Sequence, residues 1–203
     1  MPKKRGYYTV KTGHPPVFAY YMKIQIRGKK INLRALAPSD ARSIFANVND
    51  RQVSRYLKRI PYPYALRDAK AIIKKARQAG RKKIKTDYYF GMEDKTSRQI
   101  IGMVGLHKIS PRDQNAEVGY WLGRKYWRQG IGTEALTLIL QFAFGKLKLN
   151  MLYAGAMSSN VASQSLLAKC GFKRGGRRRQ TFFREGKYLD DIFFDILKKE
   201  FKQ

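Results

Sequence analysis

Apolar and polar positions change period several times along the chain. Ile31, Leu33 and Ala35 alternate with Asn32, Arg34 and Leu36, which predicts a first strand. Pro38-Ser39-Asp40 then reads as a helix start with Ser39 as N-cap. Ala41, Ile44, Phe45 and Val48 follow at i, i+3, i+4 and i+7, one apolar helical face. Pro61 and Pro63 break the chain. A second helix buries Ala69, Ile72, Ile73 and Ala76, turns Lys70, Lys74, Lys75 and Arg77 outward, and ends at Gly80. Tyr88–Glu93 and Ile100–Lys108 read as strands around a polar hairpin loop from Asp94 to Arg98. Pro111 to Asn115 turns the chain into a third strand, from Ala116 to about Leu122, completing an antiparallel meander.

A helix from Glu134 to Phe144 closes at Gly145, and Met151–Met157 is a strand of small and apolar residues. Ser158-Ser159-Asn160 caps a helix that runs to Cys170 and stops at Gly171. Phe172–Arg184 and Tyr188–Leu197 form a last strand pair around Glu185-Gly186. The order β-α-α-β-β-β-α-β-α-β-β predicts an α/β (α+β) fold, a mixed, mostly antiparallel sheet with helices on it. That makes about seven strands and four helices. No internal repeat is present. Residues 1–28 stand apart as a basic extension, and residues 29–203 form the domain. Val17 to Met22 within that extension is apolar enough to pack as an edge strand. The extension is either a solvated basic arm or one that docks on RNA phosphates.

Charge changes this picture more than length does. The 203 residues hold 43 Lys+Arg against 14 Asp+Glu, a net charge of +29. Such a field does not choose a fold. It does attract polyanions, so contact with RNA or the ribosome is one reading; a generally basic proteome is the other. It also draws in small phosphorylated ligands. Cys170 is the only cysteine, which excludes an intrachain disulfide and fits a reducing, cytoplasmic setting. His14 and His107 are the only histidines and lie far apart, so no metal site is expected. No apolar run approaches the roughly 20 residues of a membrane span, and the N-terminus lacks the apolar core of a signal peptide.

The chemistry concentrates between Ala116 and Thr133. Gly130-Ile131-Gly132-Thr133-Glu134-Ala135 matches the Gly-x-Gly-x-x-Ala dinucleotide pattern. Two features exclude that reading. Gly123 to Gln129 separate the strand from the first glycine, and no Asp or Glu occurs between Glu134 and Glu185 to hold a ribose. No Gly-Lys-Ser/Thr follows, which excludes a Walker loop. A glycine-rich turn feeding a helix N-terminus is left, flanked by Arg124, Lys125 and Arg128. Its free N–H groups suit a ligand with several phosphates.

The block Ala116-Glu117-Val118-Gly119-Tyr120-Trp121-Leu122, followed by Tyr126-Trp127-Arg128-Gln129-Gly130-Ile131-Gly132-Thr133-Glu134-Ala135, resembles the acyl-CoA loop of GNAT N-acetyltransferases. It is most similar to the branch that acetylates the N-termini of ribosomal proteins at alanine or serine. Asn160-Val161-Ala162-Ser163-Gln164-Ser165-Leu166-Leu167, ending at Gly171-Phe172, resembles that branch's Asn-x-x-Ser-x-x-Leu helix. Phe182 to Tyr188 is similar to its final hairpin. The likeness covers about Ile31 to Leu197. Trp127 departs from the broad family, which has Gln or Arg there, and agrees with the ribosomal-protein branch.

The resemblance implies a GNAT fold with acetyl-CoA as co-substrate, no metal, and a protein α-amine as acceptor. A small amine is the alternative acceptor, and an RNA- or ribosome-binding protein without catalysis the second alternative. It implies that backbone groups near Tyr120 and Leu122 hold the pantetheine arm. N–H groups of Arg128, Gln129, Gly130, Ile131, Gly132 and Thr133 would hold the pyrophosphate. The oligomeric state, monomer or dimer, stays open.

Direct attack on the thioester needs a neutral amine. A free α-amino group has a pKa near 7.7–8.0, so a modest base suffices, working through water. Glu117 is the candidate, its basicity raised by Val118, Tyr120 and Trp121; otherwise it is a strand Glu paired with a cation. The leaving thiolate needs a hydrogen bond, and no Tyr lies between Ser158 and Phe172 to give it. Ser163 takes that role through the resemblance, or else bonds a backbone carbonyl. Asn160 either faces the pantetheine or only caps its helix. Cys170 reads as a packed residue. The run Lys173 to Arg179 touches the CoA 3′-phosphate, grips RNA, or is a solvated loop. A polycationic small substrate would want a carboxylate cluster. Asp87, Glu93, Asp94, Glu117, Asp190, Asp191 and Asp195 are the acids available to converge into one.

Overall fold

The computed structural model describes residues 24–58 and 60–202. Its strands are β1 (Gln25–Arg27), β2 (Ile31–Arg34), β3 (Tyr88–Asp94), β4 (Ile100–Ser110), β5 (Asn115–Leu122), β6 (Met151–Met157), β7 (Lys173–Arg184) and β8 (Lys187–Leu197). Its helices are α1 (Ala41–Val48), α2 (Arg51–Ser54), α3 (Leu66–Arg81), α4 (Ile131–Gln141) and α5 (Val161–Lys169). All strands join one sheet in the order β1-β2-β3-β4-β5-β6-β8-β7. Every neighbouring pair is antiparallel except β5 and β6, which run parallel.

The mixed α/β class expected from the sequence is the class observed, with eight strands in place of about seven and five helices in place of four among the described residues. The additional strand, β1, falls inside the stretch read as an N-terminal extension and pairs with β2. The Val17–Met22 strand lies outside the described residues. The additional helix, α2, is a single turn whose N-cap Asp50 accepts from the Gln52 amide. Ser39 is not the N-cap of α1. Pro38–Asp40 forms a 3-10 turn, and the Asp40 carboxylate accepts from the Ala37 amide at 2.7 Å. The α4 helix begins three residues before Glu134, at Ile131, and its C-terminal end continues as a π-turn over Phe142–Lys146. Gly80 stays inside α3, which ends one residue later.

Alternation along the strands divides the core in two. One face buries Leu33, Phe90, Leu106 and Val118 against Leu136 and Ile139 of α4 and Leu167 of α5. The other buries Tyr89, Met103 and Trp121 against Ile44 and Val48 of α1 and Ile73 of α3. Phe90 is fully buried, so Phe90→Ala would cost about 3–5 kcal/mol. Arg34 ties β2 to the start of α1. Its guanidinium meets Asp40 at 2.8 and 2.9 Å and Glu93 at 2.8 Å. The hydrogen bonds it donates to Asp40 hold its pKa well above the usual range, against an opposing contribution from burial.

Candidate active site

The splay between β5 and β6 creates the site. Their parallel pairing covers only Asn115↔Met151, Ala116↔Leu152 and Glu117↔Tyr153, after which the strands part. On its other edge β5 stays paired with β4 as far as Gly102↔Leu122, and the Gly123 amide donates to the Ile101 carbonyl at 2.9 Å. Antiparallel partners alternate between bonded and non-bonded pairs. With Gly123 bonded toward β4, the backbone groups of Leu122 and Tyr120 turn the other way, into the gap left by β6. An extended amide-bearing chain can pair there as a strand would. Trp127 narrows this opening at one point, donating its indole N–H to the Leu122 carbonyl at 2.7 Å.

Below the splay, the glycine turn opens α4. Gly130 has φ +79°, which suits glycine, and Arg128 beside it has φ +60°. Arg128, Gln129 and Gly130 are exposed, whereas Ile131 is buried in the core and anchors the turn. Gly132 faces α5, where a Cβ would stand 3.0 Å from Leu166 Cδ2, so glycine allows the two helices to approach. Thr133 completes the first turn, half-buried. Glu134 points away from the turn and accepts from the Lys30 amide at 2.9 Å, which leaves the N-terminus of α4 positive. Lys30 adds a cation, its ammonium bonded to the Gln129 carbonyl at 2.7 Å.

Asn160 caps α5, its Oδ1 accepting from the Ser163 amide at 3.1 Å. Ser163 does not spend its hydroxyl on a backbone carbonyl. Its Oγ lies 2.8 Å from the Tyr120 hydroxyl, which crosses from β5. Burial pushes the Tyr120 phenol well above its ordinary range, so it keeps its proton. Cys170 packs nearby in the core, its thiol pushed up to about 11 by burial, as befits a packed residue.

Glu117 and Tyr120 serve opposite faces of the sheet. Val118 and Tyr120 point to the α4–α5 face, so they do not wrap the Glu117 carboxylate as expected. Glu117 lies on the α1–α3 face, where Lys108 Nζ approaches to 2.8 Å. A bulge between His107 and Ser110, with Lys108 at φ +51°, brings that lysine to Glu117. His107 is the direct partner of Glu117 across β4–β5. Its Nδ1 lies 3.0 Å from Asp87 Oδ1, and its ring sits against Tyr89 with centroids 4.9 Å apart, tilted by 58°. The ring lies over Gly105 and Gly119, where a Cβ would meet it at 2.9 and 3.4 Å. With Asp87 accepting from Nδ1–H, the Nε2 lone pair is the basic site of the neutral ring.

Two residues beyond Glu117 and Tyr153, the same face carries Gly119 on β5 and Gly155 on β6, where the strands part. The parting of the two strands leaves a gap in the sheet at this point.

Residues 30–173 match the acetyltransferase (GNAT) domain family. The chain belongs to that family. It is an N-acetyltransferase, and the fold is one that binds acetyl-CoA. Over 173 residues it is 28% identical to the uncharacterized N-acetyltransferase YoaA of Bacillus subtilis, covering 83% of this chain and 94% of the relative. It is 27% identical over 106 residues to the ribosomal protein uS5-alanine N-acetyltransferase of Escherichia coli, 52% of this chain and 55% of that one. The spermidine N-acetyltransferase of Vibrio cholerae, solved with CoA and spermine, superposes with a TM-score of 0.73 at 24% identity. That alignment covers 85% of this chain and 98% of the other and speaks for the fold.

Within the GNAT frame, sequence reasoning gave no role to three side chains of this region. The Tyr120 hydroxyl reaches Ser163 from the strand, whereas the sequence reading considered only Ser158–Phe172 for a tyrosine. His107 was set aside as one of two separated histidines, although its place opposite Glu117 in a hairpin was a usable signal. Asp191 sat among acids that had only to converge, and they do so only in part: Glu117 and Asp195 flank Tyr153 in register, with Asp191 on the same face of β8. Glu93 and Asp94 cap the far end of β3, against Arg34 and Ser97 respectively, and Asp190 meets Arg177 at 3.4 Å. The basic run lies on the edge strand β7, with Arg178 over the Phe193 ring at 4.8 Å.

Proposed function

We propose that this enzyme acetylates the α-amino group of a protein, of the ribosomal-protein type, with acetyl-CoA as donor. The acyl-CoA arm pairs with the backbone of Tyr120 and Leu122 in the splay. The pyrophosphate rests on the N–H groups from Arg128 to Thr133. Asn160 holds the start of α5 against the arm. The amine attacks the thioester carbonyl, the new N–C bond forms, and the C–S bond breaks. Glu117, held by Lys108, accepts the amine proton through water. The Tyr120–Ser163 hydroxyl pair donates a hydrogen bond to the departing sulfur.

The observation that favours a single amine over a polycation is the neutralisation of acids on the acceptor side. Glu117 meets Lys108 at 2.8 Å, Asp191 meets Lys58 at 2.9 Å, and Glu185 meets Arg51 at 3.2 Å. Each pair must be opened before its carboxylate can take a substrate cation, so a spermidine-type substrate would have to displace several at once. The kinship with a uS5-alanine acetyltransferase and the net charge of +29 favour a target on or near the ribosome.

Thiol release from acetyl-CoA, followed with a peptide bearing a free N-terminal alanine, tests the assignment. Glu117→Gln is expected to lower kcat about 10²-fold, within the range of general-base losses, with acetyl-CoA affinity unchanged. Unchanged turnover removes Glu117 as the base. Faster turnover of spermidine than of the peptide removes the protein acceptor.

A further inference from the structure

Asp191 is a buried carboxylate, 4% exposed, on the α1–α3 face of β8. It leans over Gly155, where a Cβ would meet its Oδ1 at 2.8 Å. Lys58, from the loop after α2, places its Nζ at 2.9 and 3.0 Å from the two carboxylate oxygens. The same ammonium lies 4.9 Å from the centre of the Phe182 ring, and 2.7 Å from where a Gly155 Cβ would be. A carboxylate, an aromatic face and a bare glycine floor thus enclose one primary ammonium. Gly155 is two residues past the last β5–β6 pair, at the mouth of the splay.

Desolvating two charges costs several kcal/mol per ion, so a buried pair of this kind adds little net stability over apolar packing. Its position is more informative. The chain seats an amine of its own at the place where the acceptor amine must meet the thioester.

We propose that Asp191, Phe182 and Gly155 form the seat for the acceptor's amino group, and that Lys58 fills this seat until the acceptor displaces it. This rests on the amine-acceptor reading above. The carboxylate accepts N–H bonds from the incoming ammonium, and once Glu117 takes one of its protons through water the nitrogen lone pair faces the gap between β5 and β6. Lys58 is an internal competitor, which sets a threshold for acceptor binding. One carboxylate with one displaceable cation suits a substrate presenting a single ammonium. The Arg184 guanidinium, bonded to the Lys58 carbonyl at 3.4 Å, keeps the loop backbone in place while the side chain swings.

Steady-state kinetics with the alanine peptide carry the test. Lys58→Met is expected to lower the peptide KM about 5-fold, and Asp191→Asn to raise it at least 10-fold. The acetyl-CoA KM should stay constant in both. Lys58→Arg, which keeps the ion pair, separates this from a structural tie by holding the KM at or above wild type. An independent readout is labelling of Lys58 by an acylating reagent, mapped by mass spectrometry. Saturating peptide should increase Lys58 labelling in the wild type, and Asp191→Asn should increase it without peptide. A Lys58→Met variant with unchanged or raised peptide KM overturns the proposal, as does Lys58 labelling indifferent to a peptide that turns over. Absence of any peptide turnover in the wild type instead overturns the α-amine reading. The labelling arm, run with methylamine as the probe, then decides the seat alone: Lys58 exposure by methylamine supports it, and no change rejects it.

Discussion

Tyr120 and Glu117 are three residues apart on one strand, and that odd spacing sends them to opposite faces. Glu117 was legible in the sequence because a carboxylate beside a glycine turn is conspicuous. The Tyr120 side chain was not, because its partner Ser163 is 43 residues away and only the packing of α5 on β5 joins them. Tyr120→Phe is expected to lower kcat 10- to 100-fold, the scale of losing a general acid, with acetyl-CoA affinity kept. Tyr120→Phe combined with Ser163→Ala should cost little more than either alone, since the two hydroxyls act as a unit. Comparable losses in acetyl-CoA affinity would assign the pair to binding. His107 offers a second proton acceptor beside Glu117. His107→Gln is expected to lower kcat about 10-fold, less than Glu117→Gln, with acetyl-CoA affinity kept. An unchanged kcat in His107→Gln assigns the ring to packing on Tyr89.

At the scale of elements, the glycine turn and the parting of β5 from β6 matter most. The turn could be read from Gly130 and Gly132, since few residues other than glycine accept φ +79°. The parting could not, because where two strands cease to pair depends on twist and on α5 packing, not on local pattern. The short β1 and α2 were missed for a related reason: three or four residues carry too little periodicity. Gly132→Val is expected to push α4 from α5 through Leu166, lower Tm and weaken acetyl-CoA binding together. Gly130→Ala has only Lys30 Nζ, at 4.0 Å, near its new methyl. Its cost should be the left-handed backbone strain of about 1–2 kcal/mol. Isothermal titration with acetyl-CoA beside thermal melts separates the two effects. Equal binding losses without a Tm change in Gly132→Val would contradict the packing role.

Across the whole molecule, the strands were legible by alternation, whereas the pairing of charges does not follow from composition. A net charge of +29 left the acids looking scarce, yet the structure spends them on named cations at the acceptor face and on the Arg34 tie. No helix among the described residues is long and apolar enough to cross a membrane. Buried proton donors give the fold an alkaline limit. Burial pushes the Cys170 thiol up to about 11, the Tyr64 hydroxyl up to about 12, and Tyr120 further. The unfolded chain sheds these protons first, at about 8.5 for the thiol and 10 for the phenols. Their contribution is complete below those values and is lost as pH rises toward the folded ones. Tyr64→Phe should therefore narrow the fall in urea midpoint between about pH 9 and pH 12, and an identical fall in both proteins would contradict this. The most direct test of the central claim is intact-mass analysis of an alanine-terminated peptide that also contains lysine, incubated with the enzyme and acetyl-CoA. The account predicts one acetyl group, located on the α-amine and absent when that amine is blocked. Acetylation of the lysine side chain, or none with an enzyme that acetylates spermidine, would contradict it.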